Sequence, residues 1–97
     1  MSLPTANQSL AEATVPAGLS TDAHYHRTSE EIYHFVSGEG RMRLDDNEQP
    51  VRAGDTVVIP PGVEHKLWAD RDVDLVLLCC CAPPYADADT VITEPRG

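Results

Sequence analysis

Four side chains in this sequence have the types and spacing for shared chemistry. His24 and His26 are two residues apart, Glu31 follows five residues after His26, and His65 comes after a Pro-Pro-Gly turn. Imidazole nitrogen and carboxylate oxygen together suit a divalent metal ion. On an extended strand alternate side chains share a face, so His24 and His26 point together while Tyr25 points away. At ~3.3 Å rise per residue, their Cα atoms would lie roughly 6.5–7 Å apart. Two imidazoles reaching inward from that spacing can meet on one ion at about 2.0–2.2 Å per bond.

Glu31 opens the next strand, and the short Thr28-Ser29-Glu30 turn would bring it back beside the histidines. Glu30 is its rival, but it sits in the turn, ahead of the alternating stretch, so Glu31 is the better ligand. His34 is an odd number of residues from Glu31. It reads as a partly buried histidine on the opposite sheet face, together with Ile32 and Val36. In the stretch Gly54 to His65, Pro60-Pro61-Gly62 fixes a sharp turn after a strand. His65 therefore starts the following strand from a stiff hinge, which lowers the entropy cost of building a site.

The elements that must position these residues read as short strands. Ser9 to Val15 is a strand of weak β character, and Pro16-Ala17-Gly18 turns. Ala23 to Arg27 is extended. Glu31 to Ser37 carries aromatic and β-branched residues, and Gly38-Glu39-Gly40 is a tight connection. Arg41 to Leu44 and Gln49 to Arg52 pair across a turn at Asp45-Asp46-Asn47-Glu48. Thr56 to Ile59 reads as a buried strand, His65 to Ala69 as extended, and Val73 to Ala82 as the longest strand. Pro83-Pro84 ends it, because neither residue can donate to a ladder. Short strands with turns every 8 to 12 residues predict an all-β sandwich or barrel. The expected layout is a flexible start over 1–8, a barrel over 9–85 and a solvated acidic tail over 86–97.

With 97 residues the chain suffices for one small domain. Its formal net charge of −9 argues against nucleic acid or an anionic membrane as partner. No apolar run approaches the ~20 residues a bilayer requires. The N-terminus lacks a basic segment followed by an apolar core, so no signal peptide is read. Cys79, Cys80 and Cys81 are adjacent and odd in number, which is not a disulfide framework, and a reducing cytoplasm is expected. Following four apolar residues, these thiols read as small inert hydrophobes with raised pKa values, Cys79 and Cys81 on one face and Cys80 on the other.

Tyr33 and Phe35 share the face of Glu31, a position that suits both pocket lining and core packing, with core the better reading for Phe35. Leu67 shares the face of His65, and Trp68 points away. Met42 and Leu44 are the natural inward pair, which leaves Arg41 and Arg43 as solvated positions rather than anion-binding walls.

The two histidine-bearing stretches resemble the motifs of a small single-domain cupin, of the type similar to the cupin part of mannose-6-phosphate isomerases. Gly18, His24, His26, Glu31 and Gly38 match the first motif, G-x5-H-x-H-x4-E-x6-G. Gly54, Pro60, Gly62 and His65 match the second, G-x5-P-x-G-x2-H-x3-N, whose final Asn is Ala69 here. The resemblance covers about Ser9 to Tyr85. It implies a double-stranded β-helix (jelly-roll) barrel and one divalent ion per chain on His24, His26, Glu31 and His65. It also implies a homodimer, for which the apolar outer face at Ile32 and Val36 is suited unless the chain's own N-terminal strand covers it.

Three nitrogens and one carboxylate leave two positions of an octahedron for water or a small molecule. Mn²⁺ or Fe²⁺ fit best, while Ni²⁺, Co²⁺, Zn²⁺ and Cu²⁺ can also bind. An ion so held would serve an isomerase, decarboxylase, lyase or dioxygenase acting on a small carboxylate or sugar. The alternative is a metal-containing module that binds such a ligand without turnover. A structural barrel with a vestigial site is the weakest reading, since every ligand position is filled.

Overall fold

The alternation that marks strands in the sequence is realised side chain by side chain in the computed structural model, which describes residues 2–94. The strands are β1 (Ser2–Pro4), β2 (Ser9–Val15), β3 (His24–His26), β4 (Glu30–Ser37), β5 (Glu39–Leu44), β6 (Asn47–Arg52), β7 (Thr56–Ile59), β8 (His65–Ala69), β9 (Leu75–Ala82) and β10 (Thr90–Ile92). They form two five-stranded antiparallel sheets, ordered β1-β2-β9-β4-β7 and β10-β3-β8-β5-β6. With the inner faces joined in one core, this is an all-β double-stranded β-helix of jelly-roll type.

Parity decides what enters the core. Along β4, Glu31, Tyr33 and Phe35 are buried, while Glu30, Ile32, His34 and Val36 are exposed. Along β8, His65, Leu67 and Ala69 are buried, and Lys66 and Trp68 are half-buried. Phe35, Ile59, Leu75 and Leu77 are almost fully enclosed. Each contributes roughly 1.5–3 kcal/mol by leaving water. Met42, Val51 and Leu67 close the core from the second sheet.

Two glycines let strand backbones approach closely. Gly38 joins β4 to β5 at φ +84°, and a Cβ there would lie 1.9 Å from the Asp74 carbonyl oxygen. A Cβ on Gly40, inside β5, would lie 2.0 Å from the carbonyl oxygen of Trp68 on β8. Backbone atoms cannot swing aside as a side chain can, so only glycine fits at either position.

The structure departs from the sequence expectations in places. The segment expected to be a flexible start contains β1, whose pairing with β2 extends the first sheet at its edge. It therefore does not lie over Ile32 and Val36, which stay exposed. Gly38 alone makes the connection expected of three residues, and only Asp45 and Asp46 form the turn between β5 and β6, because pairing runs outward to Glu39↔Arg52 and inward to Leu44↔Asn47. The strand β7 is an edge strand, and Val58, on its outer face beside Ile32, is 53% exposed despite its apolar neighbours. Val73 precedes the last long strand because Asp74 turns aside to accept the Ala17 N–H at 2.8 Å.

The largest correction concerns the C-terminal segment, expected as a solvated tail. It forms a 3-10 turn at Asp87–Asp89 and then β10, antiparallel to β3 with Thr90↔His26, Val91↔Tyr25 and Ile92↔His24 in register. Acidic composition concealed this, because its carboxylates are spent on backbone N–H groups and a lysine rather than on water.

Replacing Gly38 or Gly40 by alanine should lower stability in urea unfolding by about 2 kcal/mol or more, since each forces a backbone clash. Alanine at exposed Asp46 should change it by less than ~0.5 kcal/mol.

Candidate metal centre

The four residues singled out by spacing do meet, and they come from both sheets. His24, His26 and His65 stand on β3 and β8 of the second sheet, and Glu31 on β4 of the first. The Arg27-Thr28-Ser29 turn thus carries the chain across the sandwich rather than back along one sheet. One ligand atom from each of the four lies within 4.8 Å of every other. His24 and His65 are direct cross-strand partners, with ring centroids 4.2 Å apart. His26, Glu31 and His65 are buried, and His24 is half-buried. Glu30 is exposed on the other side of its strand.

Hydrogen bonds set the tautomer of each ring. Nδ1 of His24 donates to the Asp22 carbonyl at 2.9 Å, and Nδ1 of His65 donates to the Val63 carbonyl at 3.0 Å. A carbonyl only accepts, so both Nδ1 atoms carry hydrogen. Nδ1 of His26 lies 3.0 Å from the Thr90 hydroxyl. That hydroxyl donates to the Ala86 carbonyl at 3.1 Å, so it accepts from His26. In the neutral rings all three Nε2 atoms therefore present lone pairs to the centre.

Glu31 Oε1 lies 3.1 Å from Nε2 of His26 and 3.2 Å from Nε2 of His65. Nε2 of His65 is fully buried and has no hydrogen-bond partner. Four acceptors facing one another without a donor repel unless a cation sits among them. The residues present thus fit a metal ion. Burial, reinforced by the neighbouring His65 and His26, lowers the His24 pKa and favours the neutral ring that metals bind. At Glu31, burial acts to raise the pKa, but the polar contacts with His26, His65 and Cys81 outweigh it and hold the carboxyl ionised.

Tyr33 packs its ring 5.7 Å from that of His65, and burial followed by the Glu31 charge holds the phenol protonated. It is a wall of the site as well as core. Phe35 is core alone. His34 lies on the outer face, more exposed than expected, where Nδ1 meets the Thr56 hydroxyl at 2.9 Å. Arg41 and Arg43 face away from the centre, 2.7 Å from Glu48 and Glu64 respectively. Ala69, at the far end of β8, is a core residue. A cavity of about 810 Å³ opens there beside Trp68, Arg41, Arg52 and Arg71, and none of the four ligands lines it.

Two sets of contacts around the ligands escaped the sequence reading. The first is the C-terminal segment. Against the desolvation that opposes it, hydrogen bonds from Thr28 and Ser29 keep the Asp89 carboxyl below its usual range. Asp89 accepts the Thr28 N–H at 2.9 Å, the Thr28 hydroxyl at 2.8 Å and the Ser29 N–H at 3.1 Å, bracing the turn between His26 and Glu31. Glu94 accepts the Ala23 N–H at 3.2 Å and pairs with Lys66, next to His24 and His65 respectively. The second is Cys81, paired across strands with Glu31, whose thiol donates to Glu31 Oε2 at 3.1 Å. Parity put Cys81 on one face with Cys79, but only the register of β4 on β9 makes it the partner of Glu31. No sequence signal pointed to Thr90.

Thr90→Val keeps the shape of the strand and removes the acceptor that fixes His26. Metal affinity by calorimetric titration should fall about tenfold, in the range seen when such supporting bonds are removed. Asp89→Asn should lower the hydrogen-exchange protection of the Thr28 and Ser29 amides. In the parent, a depressed native pKa means Asp89's contribution is full above the ordinary aspartate range and is lost as pH falls through the lower native value. That protection should therefore hold from pH 8 to 5 and fail only in stronger acid.

Comparison with known proteins agrees with this architecture. Residues 11–81 match the family described as Cupin domain. An uncharacterized protein of Methanocaldococcus jannaschii is 51% identical over 87 residues, covering 90% of this chain and 70% of that one. An oxalate-binding protein of Thermotoga maritima is 31% identical over 68 residues, covering 70% of this chain and 56% of that one. A conserved protein with a double-stranded β-helix domain from Klebsiella pneumoniae superposes with a TM-score of 0.84 at 19% identity, covering 96% of this chain and 80% of that one. A likeness at that identity speaks for the fold. With most of its length matched and the four ligand positions converging between two sheets, the chain belongs to the cupin family.

Proposed function

We propose that this cupin holds one divalent ion, Mn²⁺ or Fe²⁺ by preference, and acts on a small carboxylate, sugar or related metabolite drawn to that ion. The observation that carries the reading is the donor-free convergence of three Nε2 atoms and a carboxylate, with Nε2 of His65 buried and unpartnered. Mixed nitrogen and oxygen donors favour ions of this class. When bound, such an ion supplies Lewis acidity for polarising a carbonyl or hydroxyl. His24, half-buried, stands where a small molecule would enter. Tyr33, buried beside His65, keeps the inner wall dry, and a dry wall strengthens every charge interaction there. Beyond the ligands, no pair of side chains among the described residues is placed as separate acid and base, so the reaction would be centred on the ion. Isomerase, lyase, decarboxylase and dioxygenase chemistry all accord with that.

The second reading is a binding module for a small dicarboxylate. It is favoured by the relative named as an oxalate-binding protein. Turnover separates the two. Product formed from a panel of small hydroxy acids, keto acids and sugars by the Mn²⁺ or Fe²⁺ form supports the enzyme. Saturable oxalate binding with no product from any of the panel supports the module.

His24→Ala and His65→Ala should each reduce Mn²⁺ uptake after refolding to well below one ion per chain, measured by elemental analysis. Unchanged stoichiometry in both would sink the metal reading.

A second copy of the chain is the occupant proposed for the outer face of the first sheet. Register places Leu10, Cys80, Ile32 and Val58 side by side across β2, β9, β4 and β7, and Leu10, Ile32 and Val58 are 43%, 38% and 53% exposed. In a chain of net charge −9, two copies repel least through an uncharged row. Light scattering should give a dimer mass at micromolar concentration, and Ile32→Glu with Val58→Glu should give a monomer. A monomeric parent would count against it.

A further inference from the structure

The two oxygens of Glu31 have different partners. Oε1 faces Nε2 of His26 and of His65, at 3.1 and 3.2 Å. Oε2 is turned away from the histidines and accepts the Cys81 S–H at 3.1 Å. Cys81 is 2% exposed and stands directly opposite Glu31 in the β4–β9 ladder, so neither backbone can shift without breaking strand pairing. We propose that Cys81 is the positioning residue of this centre, occupying Oε2 so that Glu31 offers a metal ion a single oxygen.

The count of donors gives the consequence. Three histidines and one carboxylate oxygen make four protein donors. On a six-coordinate ion that leaves two positions, enough for a small acid to chelate through two oxygens. A Glu31 free to turn both oxygens inward would supply a fifth donor and leave one. The thiol suits this task. It donates one weak hydrogen bond and fills the space of a small hydrophobe, so it restrains the carboxylate without drawing water into the core. Cys79 shares its face two residues back, but it is half-buried and makes no hydrogen bond to Glu31. The role therefore falls on Cys81 alone among the three.

This inference rests on the metal reading, and one experiment separates the two. Wild type, Cys81→Ser and Cys81→Ala are titrated with Co²⁺, whose visible spectrum reports coordination, and the loaded forms are then titrated with oxalate. Thermal melts of the metal-free proteins control for packing. Wild type should take up one Co²⁺ and show a saturable spectral change with oxalate. Cys81→Ala should still take up one Co²⁺ but show an altered spectrum, with oxalate affinity reduced tenfold or more. Cys81→Ser, which restores a donor, should recover both. A Cys81→Ala protein matching wild type in spectrum and oxalate affinity overturns the positioning role and leaves the metal site standing. Equal loss in Cys81→Ser and Cys81→Ala, with equally lowered melting temperatures, also overturns it, because packing would then be the cause. Failure of wild type to bind Co²⁺ overturns both.

Discussion

Like-natured atoms facing one another across the sandwich are the constraint on which this structure depends. Three imidazole nitrogens and a carboxylate oxygen, all acceptors, point to one small and largely buried space. Apolar packing alone would never select such a group, since each desolvated acceptor without a donor costs free energy. The fold tolerates it because each ring is pinned from behind. Asp22, Val63 and Thr90 each take one Nδ1 hydrogen. Orientation is thus set before anything enters, and the centre is preorganised rather than assembled on demand.

That pinning ties distant parts of the chain together. The first sheet contributes Glu31 and, opposite it, Cys81. The second contributes the histidines, two of them facing each other across β3 and β8. The C-terminal segment adds no ligand, yet its contacts fall beside residues 23, 26, 28 and 29. The Pro-Gly turn joins in, as Gly62 donates its N–H to the His26 carbonyl at 2.7 Å. A short chain with a modest core has placed many of its side-chain hydrogen bonds around one point.

Much of this was legible in the sequence, for a definite reason. Period-two alternation relates faces within a strand without knowledge of pairing, so His24 could be grouped with His26, and Glu31 set opposite His34 and Ile32, by parity, while the motif resemblance joined them to His65 as one set. Proline and glycine marked where β7 and β9 stop. What parity cannot supply is which strands are neighbours. Thr56 to Ile59 is apolar enough to read as central, yet it lies at an edge. Cys81 could be placed on one face with Cys79, but its partner Glu31 depended on register. Thr90 and Asp89 sit among residues whose composition reads as solvated, and only the pairing of Thr90 with β3 and the bonds of Asp89 to Thr28 and Ser29 give them a role.

Because the ligands are divided between the sheets, an ion held there would be a cross-link as well as a chemical centre. Its grip exists only in the folded chain, so folding and ion concentration become one coupled equilibrium. At a hundredfold excess over the dissociation constant the coupling is worth about 2.7 kcal/mol, a large fraction of the stability of a small domain. The melting temperature of such a barrel would then report the supply of its metal, and a cell short of the ion would hold less of the folded protein.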